Sequence, residues 1–222
     1  MRTHLIGGNW KMHKNPAGAT SFFETFLPLV GHSEHCEILI CPPFLDIGNA
    51  VRATRGTAVR IGAQDLYWEN EGAFTGEVSG PMIKASGGSH VIVGHSERRR
   101  YFGETNETVL KKTRAALDAG LTPIVCVGER QEKNVEKVLA EQFRCGIGTL
   151  SDEQFARIVI GYEPVWGDRR RRDCYAAGCG RRSQADPRSG RGSIRSRGCE
   201  QCSHFVWRQR QTQQRKESHG RA

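Results

Sequence analysis

The sequence contains no apolar run long enough to cross a membrane, which takes about 20 residues in a helix. Its first ten residues also lack the basic stretch and the roughly 7–15-residue apolar core of a secretory signal peptide. We therefore expect a cytoplasmic chain in a reducing compartment, with no membrane partner. Disulfides are rare in such compartments, so the cysteines that lie in or beside apolar segments are interpreted as small buried hydrophobic residues: Cys36, Cys41, Cys126 and Cys145.

Acidic residues are scarce in the last quarter of the chain but not elsewhere. Residues 167–222 hold 15 Lys and Arg against 5 Asp and Glu, whereas residues 1–166 hold 18 against 19. The net charge of +9 therefore comes wholly from the last quarter. Apolar runs are also few there, and such a composition is typical of disorder. We divide the chain into a folded part at 1–166 and a basic, disordered tail at 167–222.

Within residues 1–166, short apolar strands alternate with helical segments. Strands are predicted at 5–10, 37–41, 59–63, 91–93, 123–127 and 158–162, and helices at 19–30, 45–55, 81–86, 106–119 and 133–143. Six such alternations predict an α/β fold whose strands are parallel.

The stretch V-I-V-G-H-S-E-R-R at 91–99 shows how polar groups follow these strands. Three branched apolar residues suit a strand buried on both faces, Gly94 permits a sharp turn, and His95 comes next. Taken alone, this stretch is more typical of a charged surface loop after a core strand. Polar residues also follow the other strands, however, and (β/α) barrels gather their active-site residues at these strand ends. The Gly-rich phosphate loop of a doubly wound sheet is missing after the first strand.

Five motifs, in order and at family spacing, resemble the triosephosphate isomerase family over residues 4–166. They are G-G-N-W-K-M at 7–12, G-A-F-T-G-E-V-S at 72–79, V-I-V-G-H-S-E-R-R at 91–99, P-I-V-C-V-G-E at 123–129 and G-Y-E-P-V-W at 161–166. The resemblance implies a (β/α)8 TIM barrel, of which this chain encodes about six of the eight units. It also implies interconversion of dihydroxyacetone phosphate and glyceraldehyde 3-phosphate, a step of glycolysis and gluconeogenesis.

The resemblance assigns roles to individual residues. Glu163 matches the base that takes the carbon-bound proton, and His95 matches the group that polarises the carbonyl. This family is itself the standard example of a neutral imidazole in that role, beside a helix N-terminus. Lys11 matches the cation that stabilises negative charge, Asn9 a polar substrate contact, and Glu97 a supporting residue beside the site. Cys126, flanked by valines, is interpreted as a packing residue.

The resemblance further implies a homodimer that needs no metal ion and no organic cofactor. Gln64 and Thr75 match the family's long third loop, whose tip reaches into the second subunit. Without the resemblance, the same Gly-rich segment would be interpreted as an exposed loop with no partner. We expect a small phosphorylated triose as substrate and no nucleic acid as partner.

The family pattern breaks off after Trp166, where the chain continues G-D-R-R-R-R-D-C. Reading the codons of residues 204–216 one nucleotide later permits Ile-Leu-Tyr-Gly-Gly-Ser-Val-Lys-Pro, which resembles the family's eighth strand and phosphate loop. The same offset over 167–176 permits Ala-Ile-Gly and further residues that resemble the family's lid. We therefore hypothesise a shift of reading frame just after Trp166, which resequencing of the gene tests.

An alternative is that the tail has a function of its own. Its cysteines and histidine offer zinc ligands, with a C-x-x-C half-site at 199–202, and the Arg- and Gly-rich stretch 181–197 could contact nucleic-acid phosphates. The candidate ligands are Cys174, Cys179, Cys199, Cys202 and His204. Metal analysis and salt-dependent binding to a generic oligonucleotide distinguish this alternative from the frame shift.

Trypsin tests the division of the chain. We expect trypsin to cut the tail at its many arginines before it cuts within 1–166, because the tail lacks the apolar burial that offsets about 1–2 kcal/mol of backbone entropy per residue. Mass spectrometry of a timed digest measures the order of cleavage. Equal resistance along the whole chain would contradict the division.

Overall fold

The computed structural model describes residues 4–30, 32–128, 134–163 and 205–207 of the 222-residue chain. Its strands are β1 (His4–Asn9), β2 (Cys36–Cys41), β3 (Val59–Ala63), β4 (His90–Val93), β5 (Thr122–Val127), β6 (Val159–Tyr162) and β7 (Phe205–Trp207). The first six coincide with the predicted strands to within about one residue at each end. Consecutive strands among these six pair side by side, and every pairing is parallel.

The helices in the described ranges lie between these strands. They are α1 (Pro16–Val30), α2 (Phe44–Ala53), α3 (Gly80–Ala85), α4 (Ser96–Tyr101), α5 (Asn106–Asp118), α6 (Val135–Gly146) and α7 (Asp152–Ala156). The sequence pattern predicts neither α4 nor α7. Both are short and neither buries a side chain, so they have no apolar stripe from which a helix can be predicted. None of the described helices is both long and apolar enough to span a membrane.

Alternate residues of the strands pack on opposite faces of the sheet. Val91 and Val93 join the larger apolar cluster together with residues of the helices, whereas Ile92 joins a smaller cluster built from strand residues alone. All three are fully buried, which confirms that β4 is covered on both faces. The smaller cluster contains Leu5, Leu39, Cys41, Ile92, Ile124, Cys126 and Val159. Since its members come from five strands, it lies on the concave side of a curled sheet.

The sheet curls towards closure but is not closed by hydrogen bonds between its described strands. Its order is β6-β5-β4-β3-β2-β1-β7, and Cα atoms of β6 and β7, at its two ends, approach within 8 Å. The predicted (β/α) barrel is therefore confirmed for six of its eight units. Of the four cysteines predicted to be buried, Cys41 and Cys126 are, whereas Cys36 and Cys145 are partly exposed.

β7 is a strand that the sequence analysis does not predict. It pairs in parallel with β1, with Phe205 opposite Leu5 and Trp207 opposite Gly7. An unpaired strand edge accepts a neighbour through backbone groups, and this pairing requires no particular side-chain pattern. The rest of 167–222 lies outside the described residues, so the disordered tail stays a prediction.

Four charged side chains form a cluster that joins three parts of the barrel. Lys112 Nζ on α5 donates to both oxygens of Asp65, at 2.7 and 2.9 Å, and also to Glu104. Arg98 Nε on α4 lies 2.9 Å from Asp65 Oδ2 and 2.6 Å from Glu104 Oε1. Burial raises the pKa of Asp65 to about 6 against the opposing effect of Lys112. Burial also acts to raise the pKa of Glu104, but the effects of Lys112 and Arg98 are larger, so the pKa of Glu104 is lowered overall.

Two neighbouring lysines test the contribution of this cluster. Lys112→Met should lower the free energy of unfolding by about 3–5 kcal/mol, because it leaves buried carboxylates without their main cation. Lys111→Met is the matched control, since Lys111 pairs with Glu107 at the surface and such pairs contribute roughly 0–1 kcal/mol. Urea denaturation measures both variants, and equal losses would contradict the special role of Lys112.

Candidate active site

The predicted catalytic and substrate-binding residues follow three parallel strands at the same edge of the sheet. Asn9 ends β1 and Lys11 lies two residues beyond it; His95 follows β4, and Glu163 follows β6 directly. Because the carboxyl ends of parallel strands share one edge, residues far apart in the chain come together there. The structure brings residues from different strands into contact, Glu163 with His95 and Lys11 with Glu97.

Glu163 and His95 form the buried centre of the site. Glu163 Oε1 lies 3.0 Å from His95 Nε2, and the two residues are only 9% and 3% exposed. The backbone N–H of Ser96 donates to Glu163 Oε2 at 2.9 Å. Burial acts to raise the pKa of Glu163, but the contacts with His95 and Ser96 outweigh it and the net direction is downward. Glu163 is therefore an ionised carboxylate at neutral pH, as a proton acceptor must be.

His95 is oriented by the helix that it precedes. It is the N-cap residue of α4, and its Nδ1 accepts a hydrogen bond from the backbone N–H of Glu97 at 3.2 Å. A neutral imidazole whose Nδ1 is an acceptor carries its proton on Nε2, and this assignment follows from the hydrogen bond. The N–H that results faces Glu163 and can donate to a substrate oxygen placed between the two residues.

Lys11 is held in a backbone conformation that non-glycine residues seldom adopt. Its φ is +53°, in the left-handed region. Its N–H donates to Asn9 Oδ1 at 2.8 Å, and its carbonyl accepts from Gln64 Nε2 at 3.0 Å. Its ammonium donates to Glu97 Oε1 at 2.6 Å. Asn9 and Gln64 thus hold both sides of the Lys11 residue, and strain of this kind is typical of functional sites.

The two residues predicted for the dimer loop lie in different surroundings. Gln64 follows β3 and points inward, where its amide also donates to the carbonyl of Cys41 at 2.9 Å. Thr75 is exposed at the far end of the loop, between Gly72 and Gly76, which both have positive φ. A bridge between Tyr67 and Ser79 closes the base of this loop.

Three functional contacts at the site are missing from the sequence analysis. Ser96 acts through its backbone N–H, which leaves no trace in the identity of its side chain. Cys126 packs in the inner apolar cluster, as predicted, and also interacts with Glu163, since burial and then Glu163 raise the pKa of its thiol. The position of Cys126 near the carboxyl end of a predicted strand could have indicated that it lies close to the site. Arg99 donates to the carbonyl of Gly94, and one arginine in the run 98–100 could not be singled out by pattern.

The described residues contain no group of three or more His, Cys, Asp and Glu side chains placed to hold a metal ion. The zinc ligands that the alternative interpretation requires, at 174, 179, 199, 202 and 204, lie outside the described residues, as does the basic stretch 181–197.

Comparisons with known proteins agree with this geometry. Residues 4–167 match the family model for triosephosphate isomerase. The triosephosphate isomerase of Solibacter usitatus is 62% identical over 170 residues, which are 75% of this chain and 68% of that protein. The enzyme of Synechococcus sp. is 46% identical over 184 residues, which are 80% of this chain and 72% of that protein.

A solved structure also resembles the fold. The crystal structure of triosephosphate isomerase from Bartonella henselae matches with a TM-score of 0.68 and 34% sequence identity, over 75% of this chain and 69% of that one. The segment that matches the family model, residues 4–167, contains every predicted catalytic and substrate-binding residue. The chain, over residues 4–167, belongs to the triosephosphate isomerase family.

Proposed function

We propose that this chain carries the proton-transfer machinery that interconverts dihydroxyacetone phosphate and glyceraldehyde 3-phosphate. The observation that carries the proposal is the buried pair of Glu163 and His95, in which an ionised carboxylate faces an imidazole N–H at 3.0 Å. Moving a proton between adjacent carbons requires one group that removes it and one that stabilises the negative oxygen that forms. The two members of this pair have those properties.

The reaction proceeds through an enediolate. Glu163 removes the proton from the carbon beside the carbonyl, and the C–H electron pair becomes the carbon–carbon double bond. The carbonyl electrons move to oxygen, which accepts a hydrogen bond or the proton itself from His95 Nε2. The proton of the neighbouring hydroxyl then passes through His95 to this oxygen, and its O–H electrons become the new carbonyl. At the same time the double-bond electrons take the proton from Glu163 at the adjacent carbon, which gives the other isomer. Lys11, paired with Glu97 at rest, stabilises negative charge on the enediolate and the phosphate.

We further propose that activity is lowered by several orders of magnitude in the chain as it stands. In the family, backbone N–H groups of the lid and of a Gly-Gly-Ser loop hold the phosphate, and the sequence after Trp166 contains neither. Phosphate binding closes the lid and contributes to transition-state stabilisation, so its loss lowers turnover as well as affinity. The arginine side chains at 169–172 do not replace backbone amide donors that are fixed in place.

Exchange of substrate hydrogen for deuterium tests the catalytic roles. In deuterium oxide, the chain should exchange a carbon-bound hydrogen of dihydroxyacetone phosphate faster than the uncatalysed reaction, as measured by proton NMR. Glu163→Gln and His95→Gln should each lower the rate by about 10²–10⁴, the usual contribution of general acid–base groups. Glu153→Gln, an exposed change on α7, is the control and should have no effect.

Two results would contradict parts of this proposal. Exchange that survives Glu163→Gln would remove Glu163 from the role of base. Near-normal isomerase activity in the purified 222-residue chain would contradict the impairment, whereas recovery of activity in the offset frame after Trp166 would support it.

We also propose a cytoplasmic homodimer that acts in glycolysis and gluconeogenesis, as the family implies. Large apolar side chains are exposed after β1, β2 and β4 and in the loop after β3: Met12, Phe44, Leu45, Phe74, Tyr101 and Phe102. These segments lie at the edge of the sheet that carries the candidate site. A concentration of exposed apolar residues at one end of a domain favours a protein partner there. The family implies that this partner is a second copy of the chain.

Sedimentation equilibrium tests the dimer. Thr75→Glu should weaken association by at least about tenfold, since it places a charge at a loop tip that would be desolvated. Thr20→Glu changes another exposed threonine, on α1, and should leave association unchanged. A chain that is monomeric at every concentration, or equal effects of both variants, would contradict this assignment.

A further inference from the structure

We propose that Arg99 is a positioning residue for proton transfer, because its guanidinium holds the peptide before His95 and ties it to the start of α5. The proposal rests on the proposed function, since it concerns the same pair of reacting groups. Arg99 belongs to α4, three residues after Ser96. It is one of three consecutive arginines, and its contacts differ from those of its neighbours.

Two hydrogen bonds fix the guanidinium between a strand and a helix. Arg99 Nε donates to the carbonyl of Gly94 at 2.8 Å, and Nη1 donates to Asn106 Oδ1 at 2.7 Å. Gly94 directly precedes His95, and Asn106 is the first residue of α5. The planar fork of an arginine fixes direction as well as distance, which the single ammonium of a lysine does not. The exit of β4, and with it His95, is thereby tied to the start of α5.

The glycine at position 94 permits this approach. Its φ is +72°, and a side chain there would place its Cβ 2.7 Å from Val109 Cγ2 and 3.1 Å from Arg99 Nη2. Val109 is fully buried and has no room to retreat. Residue 94 therefore fits between α5 and the Arg99 guanidinium only if it is a glycine. A side chain there would displace Arg99 and so disturb its hydrogen bond to the carbonyl that precedes His95.

The charge of Arg99 also acts on the groups around it. The titratable groups that interact with it are Cys126 at the end of β5, Glu104 before α5 and Glu163 after β6. Burial lowers the pKa of Arg99, and these three groups oppose that effect. The interaction is mutual, so the positive charge favours the ionised form of Glu163. Arg99 thus acts on both members of the pair. It acts on His95 through the hydrogen bond to the preceding carbonyl, and on Glu163 through electrostatic attraction.

Substitutions that separate charge from geometry test the proposal. Arg99→Lys keeps the charge and loses the fork, whereas Arg99→Gln also loses the charge. Arg100→Lys is the matched control, because Arg100 is the next residue of α4 and is exposed. Each variant is measured by deuterium exchange into dihydroxyacetone phosphate across a pH range, at several substrate concentrations.

We expect Arg99→Lys to lower kcat for exchange by about ten- to a hundredfold, the usual result of a misplaced catalytic group, with KM changed by less than about twofold. Arg99→Gln should in addition move the acid limb of the pH profile upward, because Glu163 then protonates more readily. Arg100→Lys should match the unmodified chain. Equal profiles for Arg99→Lys and Arg100→Lys, or a loss fully explained by the unfolded fraction at the assay temperature, would overturn the proposal.

A second measurement separates this proposal from the proposed function. If the unmodified chain shows no exchange above background, the proposed function fails for this chain, and the nitrogen-15 NMR signals of the His95 ring still report on Arg99. Arg99→Lys should displace those signals and Arg100→Lys should not. Unchanged His95 signals in Arg99→Lys would overturn the positioning role whatever the activity.

Discussion

The site depends on how a buried carboxylate is kept charged. Removing Glu163 from water favours its neutral form, which could not accept a proton at neutral pH. Two contacts outweigh that effect, the Nε2 of His95 at 3.0 Å and the backbone N–H of Ser96, and both groups belong to the turn that leads from β4 into α4. The ionised state of Glu163 therefore depends on groups that follow two different strands. It requires the carboxyl ends of β4 and β6 to lie side by side at the same edge of the sheet.

The parallel sheet supplies that common level. β4, β5 and β6 are consecutive neighbours, and the backbone N–H of Glu163 donates to the carbonyl of Val127 at 2.8 Å, which extends the pairing of β6 with β5 by one residue. Cys126 of β5 lies on the concave side of the sheet, and Glu163 helps to raise the pKa of its thiol. The same strands thus pack the interior and position Glu163. A substitution in the inner apolar cluster is therefore expected to move Glu163 as well.

Much of the fold could be predicted from residues 1–166 because each strand and each long helix has a local signature. β4 is a run of branched apolar residues, and α5 has an apolar stripe that begins after a capping threonine. Elements without such a signature were missed. α4 and α7 are short and contain no fully buried residue, and β7 pairs through its backbone beside β1, in a segment whose composition indicates no strand.

The sequence by itself determined which chemical groups this protein has and where they leave the strands: Asn9 and Lys11 after β1, His95 after β4 and Glu163 after β6. Chain order and residue type are enough for that, since strand ends in a parallel sheet share an edge. Only the tertiary structure decided how these groups are held. The left-handed backbone of Lys11 between Asn9 and Gln64, the N–H of Ser96 on Glu163 and the guanidinium of Arg99 against Gly94 all involve backbone atoms or residues distant in the chain. Backbone donors and acceptors are alike at nearly every position, so their pairing is set by three-dimensional proximity and leaves no pattern in the sequence.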